Sequence, residues 1–130
     1  MQADLNLVVG HEQITKLTKV LVTGASGFIG RQLCDLLVAD DKFQVFKLAR
    51  YVSGDRYSYY AGPGWIFADI RDRETIHKLV RDIRPDVIVH LAAQSSVSMS
   101  FGHGADVLET NLLGTVALVD AAIDTKVSNF

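Results

Sequence analysis

The chain has 130 residues, 48% of them hydrophobic and 22% charged, with a formal net charge of -2. That is the size of one small domain with a core of its own, and short for a two-domain enzyme. With no basic stripe and no strong net charge, nothing points to nucleic acid or an anionic membrane as a partner.

No stretch approaches the length of a membrane span, and the N-terminus lacks the basic and apolar segments of a secretory signal. The single cysteine, Cys34, cannot form an internal disulfide. It reads as a small hydrophobe beside the apolar face of the first helix, in a reducing, cytoplasmic setting. Residues 1–18 mix Leu5, Leu7, Val8 and Val9 with Gly10, His11 and Glu12 in no decisive period, and read as an N-terminal extension of a domain spanning 19–130.

From Lys19 the pattern sharpens. KVLVT is a short apolar strand, followed by a glycine turn and a helix whose Ile29, Leu33, Leu36 and Leu37 fall on one face. Gly24, Gly27 and Gly30 follow the pattern TGxxGxxG. A strand that turns abruptly into a helix leaves the first helical N–H groups unpaired, and these suit a phosphate or diphosphate. In such a turn Gly24 permits the tight bend, Gly27 lets backbone approach a pyrophosphate, and Gly30 lets the helix pack closely on the strand. The flanking strand and helix favour a dinucleotide-binding turn over a plain glycine-rich loop.

Gln44 to Ala49 forms a second strand that ends at Arg50. At this point of such a fold an acidic residue accepts from the ribose hydroxyls of NAD, whereas an arginine pairs with the 2′-phosphate of NADP. No acidic residue follows until Asp55, so NADP is expected, with NAD as the alternative; the plainer reading of Arg50 is a solvated surface side chain. Tyr51 to Gly64 reads as a long loop whose Tyr51, Tyr57, Tyr59 and Tyr60 either stack on a base or cover apolar surface. Trp65 to Ala68 is a third strand closed by DIRD, with Asp69 placed to accept from an adenine amino group and Asp72 as the N-cap of the next helix.

That helix carries Ile76, Leu79, Val80 and Ile83 on one face and stops before Pro85. Asp86 to Ala93, DVIVHLAA, is a nearly continuous apolar run, the mark of a strand buried on both faces of a parallel sheet. Within it His90 reads as a hydrogen-bonded core residue rather than a catalyst. The histidines lack ligand spacing, so no metal site is expected. Gln94 to Ser100 is a hydroxyl-rich loop beyond the strand end, suited to a diphosphate or sugar and equally to a plain surface loop. A helix from Asp106 to about Lys126 spreads Leu108, Leu112, Leu113, Val116, Val119 and Ile123 over more than one stripe. Such breadth implies contact on a second side, with more of the same chain or with a partner subunit.

Strand, helix, strand, strand, helix, strand, helix is the order of an α/β, Rossmann-type doubly wound parallel sheet, here ending after about four strands. TGASGFIG, DIRD, HLAAQSSVSMS and ETNLLGT together resemble the extended short-chain dehydrogenase/reductase family, the NAD-dependent epimerases and dehydratases of sugar nucleotides, from Lys19 onward. HLAAQSSV, with Arg50 in place of an acidic residue, is most similar to GDP-mannose 4,6-dehydratases and GDP-6-deoxy-4-keto-mannose reductases. The resemblance implies that Gly24, Ser26, Gly27, Phe28, Ile29 and Gly30 hold a cofactor diphosphate and Arg50 the 2′-phosphate. It implies further that Asp69 and Ile70 border the adenine, and that Leu91, Ala92, Ala93 and Gln94 line the cofactor's path. Ser95 and Ser96 would lie near the nicotinamide and a nucleotide-sugar substrate. Asn111 matches the family's asparagine, and otherwise reads as a helix residue satisfying a backbone group of the neighbouring strand. A homo-oligomer through the 106–126 helix is expected.

The family's chemistry uses a tyrosine four residues before a lysine, the lysine lowering the tyrosine pKa so that a phenolate can take a proton. Here the residues four beyond Tyr51, Tyr57, Tyr59 and Tyr60 are Asp55, Ala61, Pro63 and Gly64. The expectation is therefore an N-terminal dinucleotide-binding part without the catalytic pair; a non-catalytic nucleotide-binding or interaction module is the alternative.

Overall fold

A strand in the middle of a parallel sheet must bury both of its faces, and the alternation of its side chains divides them between two helical layers. In the computed structural model, which describes residues 16–50, 62–94 and 104–130, that central strand is β1 (Thr18–Thr23). It pairs in parallel with β2 (Phe43–Ala49) and, on its other edge, with β4 (Val87–His90). β3 (Trp65–Phe67) adds to β2, giving the order β3-β2-β1-β4.

Helix α1 (Phe28–Val38) covers one face. There Val20, Val22 and Val45 pack with Cys34, and with the half-buried Leu33 and Leu37. The other face holds α2 (Arg73–Ile83) and α4 (Gly114–Thr125). Leu21, Leu48 and Ile88 meet Ile76, Val80 and Ile83 of α2 and Leu118, Ala121 and Ala122 of α4. Burying each large aliphatic side chain is worth about 1.5–3 kcal/mol, so the two layers fix the sheet from both sides. This is the doubly wound parallel arrangement that the alternation of elements predicts.

The ends of the elements follow from side-chain chemistry. At the start of α2 the Asp72 carboxylate accepts from the Thr75 N–H at 3.1 Å and the Thr75 hydroxyl at 2.7 Å, the expected N-cap. Its other end is closed by Arg84 in the left-handed conformation, φ 50°, just before Pro85. Beyond α4, Asn129 forms a parallel bridge to Val87, and its carbonyl accepts from the Ile88 N–H at 2.9 Å.

Three details differ from the sequence reading. The apolar stripe of α1 is rotated: Gly30 and Cys34 are its buried residues, while Ile29 and Leu36 stand 67% and 72% exposed. The cause is Gly30, where a Cβ would strike the Gly24 carbonyl and the Ala25 Cα; the helix is turned to lay its bare backbone on the preceding turn. β4 ends at His90 rather than Ala93, because its partner β1 ends at Thr23, opposite His90. The last helix begins as α3 (Gly104–Leu108) and passes through a π-helical turn (Glu109–Leu113) into α4, instead of running unbroken from Asp106.

Gly24 sits at φ +66°, and a Cβ there would lie 2.7 Å from the Ala92 nitrogen and the Leu91 carbonyl group. Gly24→Ala is therefore expected to cost at least about 2 kcal/mol, from left-handed backbone strain and from pushing β1 away from the β4 exit. Urea unfolding of the two proteins measures it, and an unchanged midpoint would refute the close approach.

Candidate functional site

All four strands point their carboxyl ends the same way, and the chain leaves β1, β2, β3 and β4 at one edge of the sheet. Between those exits lies a groove of about 230 Å³. Gly24, Ser26 and Gly27 line it from the turn after β1, Arg50 from the end of β2, and Asp69 and Ile70 from the end of β3. Leu91, Ala92, Ala93 and Gln94 form the wall after β4, and Thr110 closes the groove from the π-helical turn. Ten residues singled out from four separate stretches of sequence thus meet at one place. Phe28 and Ile29 instead stand exposed at the start of α1, and Gly30 is buried beneath the turn. Ser95, Ser96 and the four tyrosines of the 51–60 stretch lie outside the described residues.

The start of α1 faces this groove through Gly27, its N-cap, which has no side chain to offer. No carboxylate lies in the first turn. The first helical bond runs from the Arg31 N–H to the Gly27 carbonyl at 3.0 Å, so the N–H groups before Arg31 lie ahead of the helical ladder. Together they make the positive end of the helix dipole. α2 differs, since its N-terminus is already filled by Asp72.

On the β3 side, Asp69 is engaged by a residue the sequence reading passed over. Arg71 donates to its carboxylate from the backbone N–H at 2.9 Å, from Nε at 3.0 Å and from Nη2 at 2.6 Å. Glu109 of the π-helical turn lies 3.8 Å from Nη1 of the same guanidinium. The Arg71 hydrogen bond holds the Asp69 carboxyl below the usual carboxylate range, against the opposing effect of partial burial. Arg50 pulls weakly in the same direction.

His90 lies at the hinge between β4 and the groove wall. Its Nδ1 is 2.7 Å from the Thr23 hydroxyl and its Nε2 is 2.9 Å from the Thr115 hydroxyl. It is hydrogen-bonded at both ring nitrogens, as the sequence predicts, but half-buried rather than in the core, and burial pushes its pKa down. Asn111 satisfies backbone groups, as its plain reading expects, though of Gln94 beyond β4 rather than of the strand itself: Oδ1 accepts from the Gln94 N–H at 2.7 Å, and Nδ2 donates to the Gln94 carbonyl at 3.1 Å. Thr23, Thr115 and Arg71 are the residues sequence reasoning missed. Each stands close to a residue of one of the sequence motifs: before Gly24, four after Asn111, and two after Asp69.

A family model, the NAD dependent epimerase/dehydratase family, matches residues 20–130. The chain belongs to this family. Among its curated relatives, Low-salt glycan biosynthesis protein Agl12 of Haloferax volcanii is 38% identical over 118 residues, covering 85% of this chain and 37% of that protein. The dTDP-glucose 4,6-dehydratase of Neisseria meningitidis is 33% identical over 118 residues, covering 82% of this chain and 32% of the dehydratase. Among solved structures, the UDP-glucose 4-epimerase of Thermus thermophilus, in complex with NAD, superposes with a TM-score of 0.74 at 34% identity. That match covers 85% of this chain and 35% of the epimerase. The chain spans about a third of the length of the relatives it matches. Among its described residues, no helix is long and apolar enough to cross a membrane.

The Asp69–Arg71 pair has a definite pH signature. Because the folded-state pKa of Asp69 is depressed, its stabilising contribution is present above the unfolded value of about 3.9 and is lost as pH falls through the folded value. Arg71→Gln is expected to move the Asp69 carboxyl back up and to remove that contribution at neutral pH. Carboxyl-carbon NMR titration of Asp69 in both proteins reads it directly, and identical titration curves would show that Arg71 does not hold the charge.

Proposed function

We propose that residues 19–130 are the N-terminal dinucleotide-binding part of an NAD(P)-dependent sugar-nucleotide 4,6-dehydratase, epimerase or reductase. The observation that carries this reading is the uncapped, carboxylate-free N-terminus of α1, opening onto the groove that also holds Arg50 and Asp69. The residues present fit the group. A diphosphate on Gly24, Ser26 and Gly27 would receive the free first-turn N–H groups of α1, which carry a partial positive charge and no competing side chain. Phe28, Ile29 and Gly30 contribute backbone to that turn rather than groove-lining side chains. Asp69, held ionised by Arg71, is an acceptor for the adenine amino group, and Ile70 is an apolar border for the ring. Leu91, Ala92, Ala93 and Gln94 line the remainder of the path, and Ser95 and Ser96 follow them in sequence toward the nicotinamide and the sugar nucleotide.

When bound, the nicotinamide supplies hydride transfer to and from the sugar. This segment's part is to bind and orient, since its own sequence has no tyrosine followed four residues on by lysine. Relatives named for dTDP-glucose and UDP-glucose support a nucleotide-sugar substrate for the whole enzyme. A GDP-mannose-type sugar rests on HLAAQSSV and Arg50 alone, and competition among GDP-, dTDP- and UDP-sugars for the whole enzyme tests it.

Arg50 is exposed at the end of β2, where the 2′-phosphate of NADP would lie. NADPH is therefore expected to bind more tightly than NADH, and Arg50→Asp to shrink or reverse the preference. A charge-assisted phosphate contact is worth about 1.5–3 kcal/mol, a tenfold to hundredfold change in affinity. Equal affinities in the parent protein, by calorimetry at fixed salt, would remove Arg50 from the site.

Self-association through the 106–126 helix belongs to the same proposal, because Leu108, Leu112, Leu113, Val116 and Ile123 stand exposed along it. Leu112→Glu is expected to shift the protein toward monomer in sedimentation equilibrium; an unchanged mass would place the contact elsewhere.

A further inference from the structure

The hydrogen bonds around His90 can be assigned a direction from donor counting alone. A threonine hydroxyl has one proton to give and two lone pairs. Thr115 donates its proton to the Asn111 carbonyl at 2.7 Å, so toward His90 Nε2 it is an acceptor, and Nε2 carries the ring proton. Nδ1 of the neutral ring is then an acceptor, and it takes the Thr23 hydroxyl proton at 2.7 Å. The Thr23 oxygen is left with two lone pairs, which meet the N–H groups of Leu91 and Ala92 at 3.2 Å each. Both hydroxyl protons, both ring nitrogens and both Thr23 lone pairs are used, with the donors all pointing one way. At its far end the Asn111 side chain clasps both backbone groups of Gln94. The groove wall from Leu91 to Gln94 is thus tied at both ends to one relay that passes through His90.

We infer that His90 is a positioning residue of the cofactor groove: a neutral imidazole of fixed Nε2–H tautomer, whose protonation releases the Leu91–Gln94 wall and weakens dinucleotide binding. This rests on the dinucleotide reading given above. A second proton on Nδ1 would face an oxygen whose lone pairs are already filled. Thr23 must then turn its own proton away, and the Ala92 N–H loses its acceptor, while the Leu91 N–H keeps the Thr23 carbonyl at 3.2 Å. Among the described residues, the groups facing the ring are Thr23 from β1, Thr115 from α4 and the Phe130 ring, with centroids 6.2 Å apart. None of these titrates between pH 5 and 8. Burial disfavours the imidazolium in the same sense. The folded pKa therefore lies below the unfolded value of about 6.5, and the relay's contribution is full above that value and lost as pH falls through the folded one.

The test uses NAD+, because the 2′-phosphate of NADP has a pKa near 6 and would add a slope of its own. Calorimetric titrations at pH 7.5 and 5.5 are expected to show affinity falling on the order of tenfold in the parent, and the loss flattening in His90→Gln. Thr115→Val, which strips the Nε2–H of its acceptor, is expected to weaken binding at pH 7.5, and Thr115→Ser to restore the parent's pH profile. Nitrogen-15 NMR of the parent is expected to report the Nε2–H tautomer, with the protection of the Ala92 amide, relative to its intrinsic exchange rate at each pH, decreasing as pH falls. An Nδ1–H tautomer, or the same pH slope in parent and His90→Gln, overturns this inference while leaving the dinucleotide reading in place. No NAD+ or NADPH binding at any pH overturns the dinucleotide reading, and this inference with it.

Discussion

The structure depends on what happens at the last residue of β1. Thr23 is a polar residue with no solvent exposure, and a buried hydroxyl without partners costs roughly 1–3 kcal/mol. It is satisfied only because β4 runs parallel beside it and ends opposite it, presenting His90 and the amides of Leu91 and Ala92. The next residue, Gly24, can approach that exit only because it has no Cβ. The turn, the end of β4 and the start of the groove wall are therefore one constraint seen from three sides. Moving any of them leaves a buried donor or acceptor without a partner.

That constraint also sets the electrostatic character of the groove. Because β1 stops at Thr23 and Gly30 lies on the turn, α1 starts pressed against the strand ends with its N-terminus open. Two carboxylates near the groove share one cation: Arg71 bonds Asp69 and lies beside Glu109. Asp72 is spent on the cap of α2. What the groove offers an anion is backbone N–H at the start of α1 and the Arg50 side chain. The groove can therefore accept negative charge from two elements, the turn after β1 and the end of β2, while the Asp69 carboxylate in its lining is tied up by Arg71.

The sequence was most legible where a local rule has few exceptions. The TGxxGxxG turn, the Asp72 cap and the stop before Pro85 each rest on backbone sterics or a local hydrogen bond, and each stands where expected, whereas β4 keeps its place in the order but ends three residues early and buries only Ile88 fully. It was less legible where tertiary contact overrides periodicity. Ile29 and Leu36 match the helical period as well as Leu33 and Leu37 do, but the rotation of α1 is set by Gly30 against Gly24, a contact no hydrophobic count includes. Arg71 was invisible as a partner for Asp69, because an arginine two residues away can as readily point to solvent. Thr23 and Thr115 carry no signal alone; their role arises only when β1, β4 and the last helix come together around His90.

The π-helical turn shows the same override working on the backbone itself. In an unbroken α-helix the residues before Gly114 would keep the even pitch that their apolar pattern suggests. Instead the Gly114 N–H reaches back to the Glu109 carbonyl, five residues away. Such a turn weakens helical hydrogen-bond geometry and persists where other contacts hold it. Here the Asn111 side chain makes two bonds to the Gln94 backbone, and the Thr115 hydroxyl bonds the Asn111 carbonyl within the widened turn. Gly114, emerging from it, is so close to Ile70 that a Cβ would meet the isoleucine side chain at 2.7 Å. The helix is therefore deformed toward the groove on two sides at once, against the wall after β4 and against the border after β3. The π-helical turn thus coincides with the two contacts that join the last helix to the groove.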